Sequence, residues 1–307
     1  MEYILKTYNL VKQYKKHKVL NQVNMNIAKG DIYGFVGENG SGKTTIIRLI
    51  TGLIFPNSGS YELFGVSNQD SKIIDVRKKV GAIVETPSIY NNMSAFENLK
   101  MQAEILGVKY ENKIIEVLKE VGLENVINDK KQAGNFSLGM RQRLGIAMAL
   151  LGEPEFLILD EPMNGLDPAG IVEIRELILK LNQTKNITFL ISSHILTELA
   201  LVATKYGIIS KGKIIKDITF EELKKECQKC LYIKVNEPLK LIEILSSMEN
   251  IDDVKFVEDG AKIYGEIDIN EVLNKVLNAN IKILNINTSE TNIEEYYLNL
   301  LRGGKHE

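Results

Sequence analysis

Long apolar runs are missing from this chain of 307 residues: none approaches the roughly 18 uninterrupted apolar positions that a membrane-spanning helix needs. No secretory leader is visible, because residues 1–10 break their apolar stretch with Glu2 and Lys6 and offer no small-residue cleavage site. Basic excess is lacking too. Lysine and arginine number 38 against 40 aspartates and glutamates, for a net charge of −2 and a pI near 6.1, which removes the electrostatic case for a nucleic-acid partner. Cysteine is scarce. Cys227 and Cys230 form a C-x-x-C inside a Lys/Glu-rich run with no second pair and no histidine close by, so they read as incidental reduced thiols. Repeats and low-complexity segments are also absent. These exclusions point to a cytosolic globular chain, and any membrane span in its working assembly belongs to a separate chain.

What is present has ordinary proportions, 44% hydrophobic and 25% charged, in a length that suits one large domain and one small. Three β-like runs open the chain, at 3–9, 19–27 and 31–36. The third is short and apolar, and it leads through Gly-rich sequence into helical spacing over 43–53. A further strand is expected at 60–64. Helical spacing dominates about 93–151, over 94–106, 111–121 and 138–151. Next come an apolar strand at 156–159, a helix over 168–181 with Pro168 at its first position, and another apolar strand at 187–191. This alternation predicts a parallel core sheet with a helical insertion.

Beyond about residue 220 the texture changes. Strands are expected at 231–235, 254–257, 261–267 and 281–286, and helices at 239–248, 270–277 and 293–301, a small α+β unit with split β-α-β order. The expected domains are 1–220 and 221–307. Asp252-Asp253 reads as a turn rather than a metal site, and residues 15–18 as a solvated hairpin tip.

The chemistry starts at Gly37-Glu38-Asn39-Gly40-Ser41-Gly42-Lys43-Thr44, which matches G-x-x-x-x-G-K-[ST] at every required position, with Thr45 following. Glycines let the backbone turn so that consecutive N–H groups face an anionic phosphate, and the helix behind adds its positive end. Lys43 supplies a point charge to the β- and γ-phosphates, and the Thr44 hydroxyl can ligate Mg²⁺. A strand before the motif and a helix after it are the context the motif requires. The second element is Phe156-Leu157-Ile158-Leu159-Asp160-Glu161, an apolar strand ending in two carboxylates. Asp160 suits Mg²⁺ and Glu161 suits a general base, whereas two such carboxylates standing alone would read as a solvated turn.

With these residues the chain resembles an ABC-type ATPase subunit over about 1–220, and further motifs follow in that family's order. Asn135-Phe136-Ser137-Leu138-Gly139-Met140 resembles the signature L-S-G-G-Q, with Phe136, Leu138 and Met140 departing from it. Ser137 also has the chemistry of a plain helix N-cap. Asp167, in Asn164-Gly165-Leu166-Asp167, resembles the loop that crosses between subunits. His194 resembles the histidine that contacts the γ-phosphate. Tyr14 resembles the aromatic that stacks on adenine, and it also reads as a hairpin-surface tyrosine.

The resemblance implies an α/β fold. A P-loop ABC ATPase domain, with parallel core sheet, antiparallel β subdomain and helical insertion at about 93–151, is followed by a small C-terminal α+β domain. It implies ATP and Mg²⁺ as cofactors, with Glu161 and His194 catalytic. Tyr14, Gly37 to Thr45, Glu85, Ser137, Gly139 and Asp167 bind nucleotide, and Thr44, Glu85 and Asp160 hold the metal.

Glu85, in Val84-Glu85-Thr86-Pro87, stands where the family normally has glutamine, and a carboxylate would meet the metal as an anion. Glu-Thr-Pro and the added C-terminal unit resemble the bacitracin and lantibiotic exporter branch, which moves antimicrobial peptides. The implied partners are a second copy, packed head to tail in an ATP sandwich, and a membrane-spanning permease, with the subunit peripheral on the inner face of the cell membrane. The rival expectation is a soluble, non-transport ATPase of this class. The C-terminal unit could be regulatory, a second dimer contact, a permease contact or a ligand sensor.

Overall fold

Alternating apolar and polar residues over the first 28 positions fold as a long antiparallel hairpin, β1 (Tyr3–Tyr14) and β2 (His17–Ala28). Register shifts interrupt the pairing, and Asn9 and Gln22 sit at positive φ, yet the ladder continues to Tyr14 and His17. Period-two reading stopped at residue 9 because those bulges break the alternation. The structure, a computed structural model, describes residues 2–109, 111–227, 229–246, 248, 253–257, 260–264, 268–290 and 293–303.

Strand β3 (Ile32–Val36) is buried at every position and delivers the chain to the Gly-rich loop, after which α1 (Lys43–Ile50) begins. Strands β4 (Ser58–Leu63) and β5 (Val66–Ser67) complete a four-stranded antiparallel sheet in the order β2-β1-β4-β5. Helix α2 (Ile73–Arg77) leads to β6 (Val80–Ile83). The helical insertion comprises α3 (Ala95–Leu106), α4 (Glu111–Glu120) and α5 (Leu138–Leu150). A capping box between Ser94 and Glu97 starts α3, and Gly107 ends it in a left-handed conformation.

Strand β7 (Phe156–Asp160), helix α6 (Pro168–Lys185) and strand β8 (Thr188–Ser193) return the chain to the core, followed by α7 (Leu196–Leu199), β9 (Lys205–Ser210) and β10 (Lys213–Thr219). The second sheet runs β10-β9-β3-β8-β7-β6. It is parallel from β9 to β6, with β10 antiparallel at the edge. Every residue of β3, β7 and β8 is buried, which is why these strands read as continuous apolar runs.

Four strands escaped the sequence pattern, the two-residue β5 among them. β6 is four residues long and contains Gly81, so it has little β-propensity. β9 and β10 are joined through Lys211 and Gly212, both at positive φ (47° and 76°), the pattern of a type I′ turn. Lys-Gly lacks the usual Asn-Gly spelling of that turn. The amide of Gly212 donates to the Ser41 carbonyl at 3.0 Å, and its own carbonyl accepts from the Asn21 amide at 2.8 Å.

Residues 1–220 and 221–307 separate into two compact units, Met1–Phe220 and Glu221–Glu307. After α8 (Phe220–Glu226), the second unit contains β11 (Lys229–Val235), α9 (Pro238–Ser246), β12 (Asp253–Val257), β13 (Gly260–Tyr264), α10 (Ile269–Asn278), β14 (Ile283–Glu290) and α11 (Ile293–Gly303). Its sheet is antiparallel in the order β12-β13-β11-β14, so β13 lies between the two strands of the first β-α-β, the split β-α-β arrangement. Leu231, Ile233, Leu241, Ile263, Val272 and Val276 form its core. Residues 265–267, expected to extend β13, and Asp252, expected in a turn, lie outside the described residues.

The insertion is locked against the loop after β6 by close approach. A Cβ on Gly145 of α5 would lie 2.6 Å from Cβ of Pro87. Gly145→Val therefore destabilises the protein by about 1–3 kcal/mol through overpacking, read as a lower urea midpoint with an unchanged slope.

Candidate nucleotide site

The loop that follows β3 is shaped by its glycines. Gly40 and Gly42 take φ of 80° and 114°, and a Cβ on Gly42 would meet Cδ2 of Leu20 at 2.6 Å. Gly42 is the N-cap of α1 and offers no side chain, so the first amides of the helix have no intrahelical or side-chain partner. An uncapped helix start behind a glycine turn is a site for a phosphate-sized anion. The Ser41 hydroxyl, on the same loop, is buried without a hydrogen-bond partner, which fits a loop made to close around a polar group.

Lys43 is 5% exposed. Its ammonium donates to the Gly37 carbonyl at 2.6 Å and the Glu38 carbonyl at 3.4 Å, and pairs with Glu161 Oε1 at 3.2 Å. A buried cation needs such compensation. The Thr44 hydroxyl donates to Asp160 Oδ2 at 2.9 Å, and Ser192 Oγ donates to Asp160 Oδ1 at 2.5 Å. Ser192 Oγ in turn accepts the Glu161 amide at 2.9 Å. Strand register explains this knot: Asp160 and Ser192 are direct partners at the ends of parallel β7 and β8.

Glu161 sits one residue past β7 with φ of 51°, a left-handed conformation that costs a non-glycine residue about 1 kcal/mol or more and turns its carboxylate out of the strand direction. Its Oε2 meets His194 Nδ1 at 2.8 Å. A carboxylate only accepts, so Nδ1 carries a proton and donates it to Glu161. Lys43, Thr44, Asp160, Glu161 and His194 are thus one connected cluster, with Ser192 at its centre. Ser192 belongs to none of the motifs read from the sequence. The available signal is the pair Ser192-Ser193 closing a buried strand just before His194.

Ser137 and Gly139 belong to a different group. Ser137 is the N-cap of α5 and its hydroxyl accepts the Met140 amide at 3.2 Å. A Cβ on Gly139 would lie 3.9 Å from Leu166 Cδ2, and one on Gly165 3.3 Å from Leu138 Cδ2. Asp167 caps α6, accepting the Gly170 amide at 3.1 Å. The neighbours of Ser137 and Gly139 are therefore the 165–167 loop of the same chain. Tyr14 ends β1 with 43% of its surface exposed, and Lys12 Nζ lies 5.2 Å from its ring centroid. Residues Val19 and Leu20 of the same hairpin pack on Gly42.

Glu85 is placed apart from the cluster. Its φ is 64°, and its Oε1 accepts from the Arg48 guanidinium at 2.5 Å. Their side chains are 60% and 39% exposed, so the pair contributes at most about 1 kcal/mol. Beyond it, a groove of about 450 Å³ is lined by Leu53, Ile83, Thr86, Pro87, Leu106 and Met148. Among the described residues no three His, Cys, Asp or Glu side chains cluster as a ready metal cage.

The phosphate loop, the carboxylate-ended strand and the histidine after the next strand define a P-loop ATPase site. A family model described as ABC transporter matches residues 20–164. Along nearly the whole chain the similarity is closer still: bacitracin transport ATP-binding protein BcrA of Bacillus licheniformis is 44% identical over 99% of both chains. The lantibiotic transport ATP-binding protein SrtF of Streptococcus pyogenes is 46% identical over 71% of this chain and 92% of its own. Among solved structures, cbiO1 of Clostridium perfringens, part of an ABC transporter complex, aligns at a TM-score of 0.67 with 28% identity over 74% of this chain and 92% of its own. An ATP-binding cassette of an ABC transporter in its ADP conformation aligns at 0.66 with 26% identity, over 81% of this chain and all of its own. The chain belongs to the ABC transporter family, as an ATP-binding, ATP-hydrolysing subunit.

Ser192 provides a test of the cluster. Ser192→Ala removes the hydroxyl that orients both Asp160 and the Glu161 amide, and ATP hydrolysis is expected to fall about 10- to 100-fold while the melting temperature changes little. Steady-state hydrolysis and circular dichroism measure the two.

Proposed function

We propose that this subunit powers export of antimicrobial peptides of the bacitracin and lantibiotic type through a separate membrane permease, closing as a head-to-tail pair around ATP. The observation that carries the pairing is the division of the site residues into two groups. Lys43, Thr44, Asp160, Glu161 and His194 form one, and Ser137, Gly139 and Asp167 form the other. A second copy, turned head to tail, brings its Ser137 helix start to the phosphates held by Lys43. The substrate reading is supported by near-full-length likeness to a bacitracin transport subunit.

The loop amides from Gly37 to Thr45, including those of Glu38, Asn39, Gly40 and Ser41, cradle the phosphates, and Tyr14 stacks on the base. Thr44 and Asp160 would hold Mg²⁺ with the hard oxygen donors that it favours, and Glu85, once released from Arg48, would be a third. The metal supplies charge neutralisation at the reacting phosphate. Glu161 accepts a proton from the attacking water, Lys43 holds the negative charge of the β- and γ-phosphates, and His194 contacts the γ-phosphate while its Nδ1–H fixes Glu161. ATP and water leave as ADP and phosphate.

Among the described residues no helix is long and apolar enough to cross a membrane, so the span is assigned to the permease and this chain to the inner membrane face. The 450 Å³ groove, with the exposed Leu53 and Leu106 in its lining, suits a permease helix.

Two measurements test this reading. Glu161→Gln should retain ATP binding, lose at least about 100-fold in hydrolysis and elute as a dimer only with ATP; hydrolysis at the parental rate would remove Glu161 from its role. The chain contains no tryptophan, so Tyr14→Trp installs a single reporter whose emission should be quenched by ATP but not by ribose triphosphate lacking a base.

A further inference from the structure

Glu85 and Glu161 occupy matching places. Strands β6 and β7 are parallel neighbours whose last paired residues are Ile83 and Leu159, and each glutamate lies two residues beyond. Both are left-handed, at φ of 64° and 51°. Each carboxylate is met by a cation of the same helix: Lys43, in the first turn of α1, pairs with Glu161, and Arg48, in the last turn, pairs with Glu85. The two pairs differ in wetness. Side-chain exposures are 6% and 21% for the inner pair and 39% and 60% for the outer, so the inner pair is fixed while the outer is screened and easily parted.

Arg48 does not depend on Glu85 for its place, because a cation in the last turn of a helix is favoured by the helix dipole. Glu85, by contrast, has the freedom of an exposed side chain on a strand end, one strand-spacing of roughly 5 Å from the strand that carries Glu161. An anion there repels the phosphates of a metal-free nucleotide and attracts a nucleotide that brings a divalent cation. A glutamine in its place would form no ion pair with Arg48 and would feel neither force.

We propose that Arg48 is the positioning residue of Glu85: it holds the carboxylate on the far turn of the phosphate-loop helix and yields it only to a nucleotide accompanied by a divalent cation. This rests on the reading of Glu85 as a metal-facing donor. The pair makes metal dependence of nucleotide affinity, rather than affinity itself, the property that Arg48 sets.

The test measures binding of trinitrophenyl-ATP to the full chain, once with Mg²⁺ and once with EDTA, taking the ratio of the two dissociation constants. Arg48→Ala should weaken binding in EDTA by about two- to fivefold, the coupling expected of an exposed charge pair, and leave binding with Mg²⁺ within about twofold. Arg48→Lys should restore the parental ratio, and Glu85→Gln should narrow it and abolish the effect of Arg48→Ala in the double variant. Equal weakening of Arg48→Ala binding under both conditions would make Arg48 merely structural and overturn the proposal. If Glu85→Gln shifts the ratio and Arg48→Ala does not, the positioning by Arg48 is wrong and the metal-facing reading survives. If Glu85→Gln leaves the ratio untouched, the metal-facing reading itself fails.

Discussion

The ammonium of Lys43 sits almost out of water, between the carbonyls of Gly37 and Glu38 and the carboxylate of Glu161. A charge so placed carries an effective penalty of several kcal/mol unless every partner is in position. That requirement ties the glycine loop after β3 to the end of β7, although more than a hundred residues separate them in sequence. Through Lys43 the loop and Glu161 are held against each other. Glu161 is held by its strained backbone, by Ser192 at its amide and by His194 at its carboxylate. Phosphate recognition and the catalytic carboxylate are therefore one structural unit.

The parallel register of β3, β8 and β7 is what allows that unit to be small. Val36 aligns with Ser193, and Asp160 with Ser192, so the three strand ends open at one edge. Ligand chemistry in open parallel sheets gathers at that edge because the loops leaving the strands can converge there. The signature residues Ser137 and Gly139 are carried instead by the start of α5, against the 165–167 loop.

The elements that were legible in the sequence are those whose chemistry is local. The phosphate loop spells its turns in glycine and its charge in Lys43 within eight residues, and β7 and β8 announce themselves by their apolar stretches, Phe156–Leu159 and Phe189–Ile191. Asp167-Pro168 and Ser94 mark helix starts because caps act over three residues. What escaped depends on register or on distance. Ser192 matters only because β8 lies beside β7, which no local pattern states. Arg48 reaches Glu85 across 37 positions. Glu85 was placed with the nucleotide ligands from its position in the motif order, while the structure bonds its carboxylate to Arg48. β6 and the β9–β10 hairpin were too short, or turned on too unusual a dipeptide, to register.

The Lys211-Gly212 turn has a consequence outside the ATP chemistry. Its glycine bonds through its amide to Ser41 and through its carbonyl to Asn21, and a Cβ there would fall 2.3 Å from the Val19 carbonyl. The turn is thus a rivet joining the phosphate loop to the β1–β2 hairpin, in a segment that carries no nucleotide motif. In a genetic screen for loss of ATP hydrolysis, lesions at Gly212 would score with those of the glycine loop and look unconnected to it. For anyone engineering the subunit, this hairpin is the wrong place for a tag.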